Sequence, residues 1–375
     1  MVLLAADRLR LVLAGLAAFG AAAGCSGGGG SSPPPPPVAF NDDRPVAGNP
    51  SGACSVPSGA GAEDTSAPTQ VIGDGTPGSC TGDAVVAAVA MGGIITFNCG
   101  PDPVKITLTK TAKIFNNTTA KIVIDGGGKI SLSGGNQVRV LYQDTCDQAQ
   151  VYTTSHCDNQ DSPQLTVQNL TFQDGNSSGQ DTDGGGGGAI FVRGGRVKIV
   201  NCRFFNNSCE STGPDVGGAA VRVLSQSNNQ PVYVVGSTFG GRSDLGNSCS
   251  NGGGLSSIGV SYTVINSVFS NNKAIGMGAN PARSGTPGGG SGGAIYNDGN
   301  TFTLSLCGTS ITNNSANEGG GAIFYVSNDN SGTLSIQSST ITGNPNAGFD
   351  TAGYPGIFIH TNMSNVSVAG STISQ

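Results

Sequence analysis

Leu165-Thr-Val-Gln-Asn-Leu-Thr-Phe172, Val197-Lys-Ile-Val-Asn-Cys-Arg-Phe204 and Val232-Tyr-Val-Val-Gly-Ser-Thr-Phe239 decide the fold, because the same pattern returns four more times. The further copies are Tyr262-Thr-Val-Ile-Asn-Ser-Val-Phe269, Leu304-Ser-Leu-Cys-Gly-Thr-Ser-Ile311, Leu334-Ser-Ile-Gln-Ser-Ser-Thr-Ile341 and Val366-Ser-Val-Ala-Gly-Ser-Thr-Ile373. Each alternates apolar and polar residues with period two, which is the signature of a strand with one buried face. The fifth position holds Asn169, Asn201, Gly236, Asn266, Gly308, Ser338 and Gly370. Asn and Gly tolerate a left-handed backbone, so the chain should bend there. These positions recur 32, 35, 30, 42, 30 and 32 residues apart.

A second element lies between the strands: Gly187-Gly-Ala-Ile-Phe191, Gly217-Gly-Ala-Ala-Val221, Gly252-Gly-Gly-Leu-Ser256, Gly292-Gly-Ala-Ile-Tyr296 and Gly320-Gly-Ala-Ile-Phe324. Tyr354-Pro-Gly-Ile-Phe358 is a degenerate copy. Strands repeating at this period make a parallel solenoid, in which each repeat buries its apolar face only by stacking on its neighbours. Phe172, Phe204, Phe239 and Phe269, followed by Ile311, Ile341 and Ile373, should then form a core ladder at about 4.8 Å spacing. The expected fold class is all-β, a parallel β-helix over residues 71–375 with a short N-terminal capping helix. Thr81-Gly-Asp-Ala-Val-Val-Ala-Ala-Val-Ala-Met91 is that helix, with Thr81 as N-cap and Gly92 as stop. Ile94-Ile-Thr-Phe97 enters the sheet, and Lys121-Ile-Val-Ile-Asp-Gly-Gly-Gly128 begins the first regular coil. No comparable cap follows the seventh repeat, which predicts an exposed edge, a longer chain or a covering partner.

Composition agrees. Among 375 residues there are 62 Gly and 19 Pro, only 11% are charged, and the formal net charge is −6. So much Gly and so little charge exclude a helical bundle or coiled coil. With no basic cluster, sequence-independent nucleic-acid binding is excluded as well.

The pairing of Gly-Gly-Ala-Ile with Phe-x-x-Asn, as in Phe204-Phe-Asn-Asn207 and Phe269-Ser-Asn-Asn272, resembles the repeats of chlamydial polymorphic outer-membrane proteins. Ile311-Thr-Asn-Asn314 and Ile341-Thr-Gly-Asn344 are relaxed versions. The resemblance covers about residues 165–375 and implies a right-handed parallel β-helix of the pectate-lyase-like kind, mostly found in adhesins. At the other end, Arg8 and Arg10 precede an apolar run, Leu11 to Ala23, too short to span a bilayer. Ala22-Ala23-Gly24-Cys25 resembles a bacterial lipobox, which implies a signal peptide over 1–24, lipidation of Cys25 and, with Ser26, anchoring in the outer membrane. Gly, Ser and Pro dominate the next stretch, so residues 25–70 read as a tether.

Nine cysteines remain besides Cys25, so at least one stays unpaired within a monomer. Cys80 with Cys99, Cys146 with Cys157, and Cys209 with Cys249 are the expected disulfides, by loop position in an exported chain. Cys202 and Cys307 lie three coils apart, about 14 Å at the strand spacing, beyond disulfide reach. Cys202 reads as a buried filler.

The residues able to carry chemistry are few. His156 and His360 are far apart in repeat order and read as surface residues. The bases on repeat strands are Arg193, Lys198, Arg203 and Arg222. Asp174, Asp181 and Asp183 in one loop, with Glu210 and Asp215 in the next, could supply oxygen ligands to Ca²⁺; no cofactor is required by the fold. If Ile190, Ile295, Ile323 and Ile357 face inward, period two sets Phe191, Tyr296, Phe324 and Phe358 on the other face, with Val221 and Ser256 completing the row. Such a stripe could hold sugar rings or a surface protein, unless loops cover it. The leading expectation is a lipid-anchored adhesive or glycan-binding module. The alternative is a polysaccharide lyase or glycoside hydrolase, and the third is a structural surface protein.

Overall fold

All seven fifth positions of the strand repeat bend as their residue types require. In the computed structural model, Asn169, Asn201, Gly236, Asn266, Gly308, Ser338 and Gly370 take φ between 47° and 62°. The structure describes residues 42–151, 155–180 and 185–375, with the backbone of Val38–Ala39. The segment 1–24, Cys25, most of the tether before residue 42, and Asp181 and Asp183 lie outside the described residues.

The protein is all-β, with parallel sheets and a single α-helix among the described residues. Strands pair with their counterparts one repeat later, in register. Val232–Val235 pairs with Tyr262–Ile265, which pairs with Thr303–Cys307, then Thr333–Gln337, then Val366–Ala369. This builds an eighteen-stranded sheet, while the Gly-Gly-Ala element builds a separate eight-stranded one. Between them lies the main core. Phe172, Phe204, Phe239 and Phe269 stack with ring centroids 5.3, 4.5 and 4.4 Å apart. Ile311 and Ile341 continue the same register. Offset aromatic stacking adds to the area buried at each step.

A second ladder runs beside it. Asn207 Nδ2 donates to Asn247 Oδ1 at 2.9 Å, Asn247 to Asn272 at 2.8 Å, Asn272 to Asn314 at 2.9 Å and Asn314 to Asn344 at 2.9 Å. All five side chains are buried. Each accepting Oδ1 also takes the backbone N–H of the Asn preceding it in the ladder, so buried main chain at this turn is satisfied.

The helix Gly82–Met91 starts where Thr81 accepts a hydrogen bond from the Ala84 N–H and stops at Gly92 with φ 71°. Its Val85, Ala88 and Val89 are buried in the main core. Among the described residues four disulfides lock the fold: Cys80–Cys99, Cys146–Cys157, Cys209–Cys249 and Cys54–Cys307. Cys202 is free and buried, and burial pushes its thiol up to about 12.

The fourth disulfide exposes a difference from the sequence expectation. From residue 42 onward the expected tether is a strap folded onto the large sheet, on the face opposite the core. Arg44 bonds Ser131 Oγ at 2.9 Å, Gly48 N–H bonds Thr238 Oγ1 at 2.9 Å, and Asn49 N–H bonds Asn266 O at 2.7 Å. A Cβ on Gly48, which has φ 81°, would sit 2.9 Å from the backbone of Gly236, so the crossing requires glycine at position 48. The strap reaches Cys307 through Cys54, then returns. Ala60 is buried among Val200, Val235 and Ile265. Thr65 Oγ1 donates to Asp125 Oδ2 at 2.8 Å. These contacts join residues far apart in the chain, a pairing that composition does not encode.

Two carboxylates pin the strap: Asp42 to Arg44 and Arg203, and Glu63 to Lys121 and Lys198. Burial opposes their ionisation, but the facing cations outweigh it, and both carboxyls lie below their ordinary values. A depressed folded pKa makes this contribution complete above the unfolded value and progressively lost as pH falls through the folded one. Thermal stability should therefore lose this contribution only below about pH 4.5, the ordinary Glu value. The Glu63→Gln variant should show a shallower decline of Tm over that acid range than the parent; parallel curves would refute the assignment.

Candidate functional site

The eight-stranded sheet presents its side chains in rows. Ile190, Val221, Leu255, Ile295, Ile323 and Ile357 form one register line and lie in the main core. The next line, on the opposite face, is Lys113, Tyr142, Phe191, Arg222, Ser256, Tyr296, Phe324 and Phe358. The inward facing of the Ile positions and the alignment of the aromatics match the parity argument. The occupant of the second rung does not. Val221 pairs with Ile190, and Arg222 pairs with Phe191. Gly217-Gly-Ala-Ala-Val221 carries one more residue before its core apolar position than Gly187-Gly-Ala-Ile190, so a doublet-anchored alignment slips by one.

The aromatic line is not an exposed stripe. Phe191 and Tyr296 have no accessible surface and Phe324 only 3%, while Phe358 is partly open. Tyr296 stacks on Phe324 at 5.0 Å, Phe324 on Phe358 at 5.1 Å, and Phe349 closes edge-on against Phe358 at 4.8 Å. Asn280, on an intervening loop, brings Nδ2 to 2.8 Å from Tyr296 Oη. Loops folded back over the sheet make these rings a second core.

The open surface lies two residues further along each strand. There, Arg193 pairs with Ser225 across a register shift that leaves Leu224 as the extra residue, and Ile258 pairs in register with Asp298, followed by Val326 and His360. Ile258 is 36% exposed, and His360 is exposed at the end of the row. Arg193, Ser225, Ile258 and Asp298, with Asp158, Asp215, Leu224 and Asn328, frame an open groove of about 570 Å³, and Arg222 reaches its base.

Arg222 is the most unusual group in this groove. It is 2% exposed, and among the described residues its Nε has no hydrogen-bond partner and its one hydrogen bond is Nη1 to Ser256 Oγ at 3.4 Å. Burial lowers its pKa from the ordinary arginine value, while the surrounding Tyr296 and Asp215 oppose that fall. An arginine nonetheless stays protonated in a protein. A buried cation with so few partners is costly unless an anion reaches it.

Opposite it, Asp298 accepts from Asn328 Nδ2 at 3.0 Å through Oδ1 and from Tyr296 Oη at 3.3 Å through Oδ2. Asn280 Nδ2 lies 3.0 Å from Asp298 Oδ2 and 2.8 Å from Asp215 Oδ1, bridging the two carboxylates. Burial, with Asp215 nearby, raises the Asp298 pKa. The groove thus holds three carboxylates, of which Asp298 has increased proton affinity, and two guanidiniums, of which Arg193 is ion-paired to the third carboxylate, Asp158, at 2.7 Å.

The remaining sequence candidates go elsewhere. Lys198 and Arg203 face the strap, not the groove. Asp174 accepts from Gln173 Nε2 and Ser133 Oγ, and Glu210 accepts the N–H groups of Gly179 and Gly186. Asp174, Glu210 and Asp215 do not converge on one point among the described residues, so the expected Ca²⁺ loop set is not assembled by them. Cys146, Cys157 and Asp158 do lie within reach of one another, but both cysteines are consumed by a disulfide. His156 sits in the loop that this disulfide closes, apart from the row that ends in His360. Asp298 and Asn328 escaped the sequence reading because both lie beyond the Gly-Gly-Ala-Ile motif, where the repeats share no residue type. Comparison with known proteins finds no matching family model, no matching curated protein and no matching solved structure.

Proposed function

We propose that residues 71–375 form a right-handed parallel β-helix, carried in the outer membrane by a lipid on Cys25, which binds an acidic glycan in the Arg222–Asp298 groove. In-register parallel pairing of consecutive repeats supports the architecture. The observation that carries the binding reading is the buried, under-partnered Arg222 at the base of an open groove. A sugar carboxylate supplies the missing charge-assisted hydrogen bonds. Asp298, Asn328 and Ser225 offer partners to sugar hydroxyls, and Ile258 with Leu224 offer an apolar face to a ring.

A second reading is a lyase or hydrolase acting on the same glycan. The pair Asp215 and Asp298 favours it, since a carboxyl of raised proton affinity, Asp298, beside a second carboxyl group suits acid–base work. Growth of ultraviolet absorbance with pectin or alginate would report a lyase, and new reducing ends a hydrolase.

The Arg222→Met variant separates function from structure. A structural arginine would leave the variant less stable. A ligand-binding one should leave it unchanged or up to about 2 kcal/mol more stable, as when buried charges give way to apolar isosteres. Binding to immobilised polygalacturonate should fall at least about tenfold, because a charged hydrogen bond is lost. Full binding by a folded Arg222→Met protein would overturn the proposal.

A further inference from the structure

At the N-terminal end of the eight-stranded sheet a second cavity of about 590 Å³ opens between the capping helix and the first strands. Val86 and Ala90 of the helix and the partly open ring of Phe115 form its apolar wall. Lys110 and Lys113 stand at its rim, both exposed. Neither ammonium has an ion pair or hydrogen bond among the described residues; Lys113 Nζ lies 5.4 Å from the Tyr142 ring centre. Arg139 lies beneath, only 2% exposed, bonded to the carbonyls of Gly187 and Gly186 at 3.0 and 2.8 Å. Its guanidinium also faces the Tyr142 and Phe191 rings, at 5.5 and 4.9 Å from their centres. Against these three cations the lining holds one carboxylate among the described residues, Asp147. Its Oδ1 accepts the Ala149 N–H at 2.9 Å and its Oδ2 accepts the Tyr142 hydroxyl at 3.1 Å. The buried Asp144 also accepts the Tyr142 hydroxyl, at 3.2 Å. This concentration of positive charge occurs in a chain of net charge −6.

We propose that this cavity is a second binding site, separate from the Arg222 groove, and that it takes a phosphorylated sugar. Two mobile ammoniums act as point charges that suit a phosphate monoester, whose charge near pH 7 is about −1.5 to −2. The wall of Phe115, Val86 and Ala90 receives the less polar face of the ring, and Gln180 offers an amide to its hydroxyls. The volume falls in the range of small-ligand sites, about 300–1,000 Å³.

Titration of the folded chain with glucose 6-phosphate, followed by saturation-transfer NMR, tests the site. Glucose is the neutral arm, inorganic phosphate the charge-only arm, and an oligosaccharide ending in a phosphorylated sugar the polymer-borne arm. Glucose 6-phosphate should bind saturably, more tightly than either glucose or phosphate. Binding should weaken as NaCl rises from about 0.05 to about 0.5 M, because exposed charges are screened. The Lys110→Gln/Lys113→Gln double variant should lose about tenfold or more in affinity. Phe115→Ala should lose several-fold, and Arg222→Met should bind as the parent does. Tighter binding of the oligosaccharide supports the same site and assigns its ligand to a polymer terminus. Equal binding of glucose and glucose 6-phosphate, unchanged affinity in a folded double-lysine variant, or loss confined to Arg222→Met would each overturn the proposal.

Discussion

Replacing Asn272 by Ala lowers the unfolding free energy by about 4 kcal/mol, because it strands several buried polar groups at about 1–3 kcal/mol each. Asn272 has no accessible surface. Its Oδ1 accepts both the backbone N–H and the Nδ2 of Asn247, at 3.2 and 2.8 Å. Its Nδ2 donates to the Phe239 carbonyl at 3.0 Å and to Asn314 Oδ1 at 2.9 Å. Alanine removes these four bonds, together with a longer one from Nδ2 to the Ser270 carbonyl at 3.4 Å, and leaves the Asn247 N–H, one Asn247 amide hydrogen and the Phe239 carbonyl without these partners. The same turn packs Phe239 against Phe269 at 4.4 Å, so relaxation to admit water would disturb the aromatic stack. Urea denaturation of parent and variant measures the difference. Asn272→Asp is a useful companion: it keeps the acceptor, loses the donors and buries a charge, so it should be at least as damaging at neutral pH. A loss below about 1 kcal/mol in Asn272→Ala would mean that the ladder contributes little beyond filling space.

That ladder shows which parts of the molecule were legible in the chain. Asn207, Asn272, Asn314 and Asn344 were visible as the last residue of Phe-x-x-Asn and its relaxed forms, but a motif does not say that its amide points inward. Asn247 belongs to no such motif: it follows Gly246 after a longer loop, so only the fold places it in line. The bend positions were legible because a positive φ selects residue type directly. The Phe and Ile ladder was legible because identical side chains at a fixed period have one simple way to stack.

The site was legible in part. The parity that puts Phe191, Tyr296 and Phe324 on one face holds, yet their exposure depended on where the long loops fold. Asn280 reaches Tyr296, Asp215 and Asp298 from such a loop, and nothing local in its sequence announces those partners. Arg222 was visible as a strand base, but the one-residue slip at Gly217-Gly218 placed Val221 in its row. Its significance came from burial with no ion pair among the described residues, a property of three-dimensional surroundings alone.

Breaking the Cys54–Cys307 link should be the other large effect. The two residues are 253 positions apart in the chain. Closing a loop beyond about 100 residues removes about 4–5 kcal/mol of unfolded-state entropy in the chain-entropy account. Other disulfides inside this loop already restrict the unfolded chain, so a loss of about 3–4 kcal/mol is expected for Cys54→Ser/Cys307→Ser. The strap then depends on its ion pairs and on Ala60 in its small apolar cluster. Partly exposed ion pairs contribute about 0–1 kcal/mol each, too little to replace a covalent link. The strap should therefore detach before the sheets unfold. Limited proteolysis should cut the variant between residues 46 and 60 while the parent stays intact, and reduction of the parent should reproduce the cut. The body should keep its folded signal, since Ile95, Phe204 and Ile311 pack in a core on the opposite face of the large sheet. Resistance of the variant to cleavage, with stability unchanged within about 1 kcal/mol, would show that hydrogen bonds such as Asn49 to Asn266 hold the strap without the disulfide. Cleavage together with global unfolding would show instead that strap and sheets form one cooperative unit.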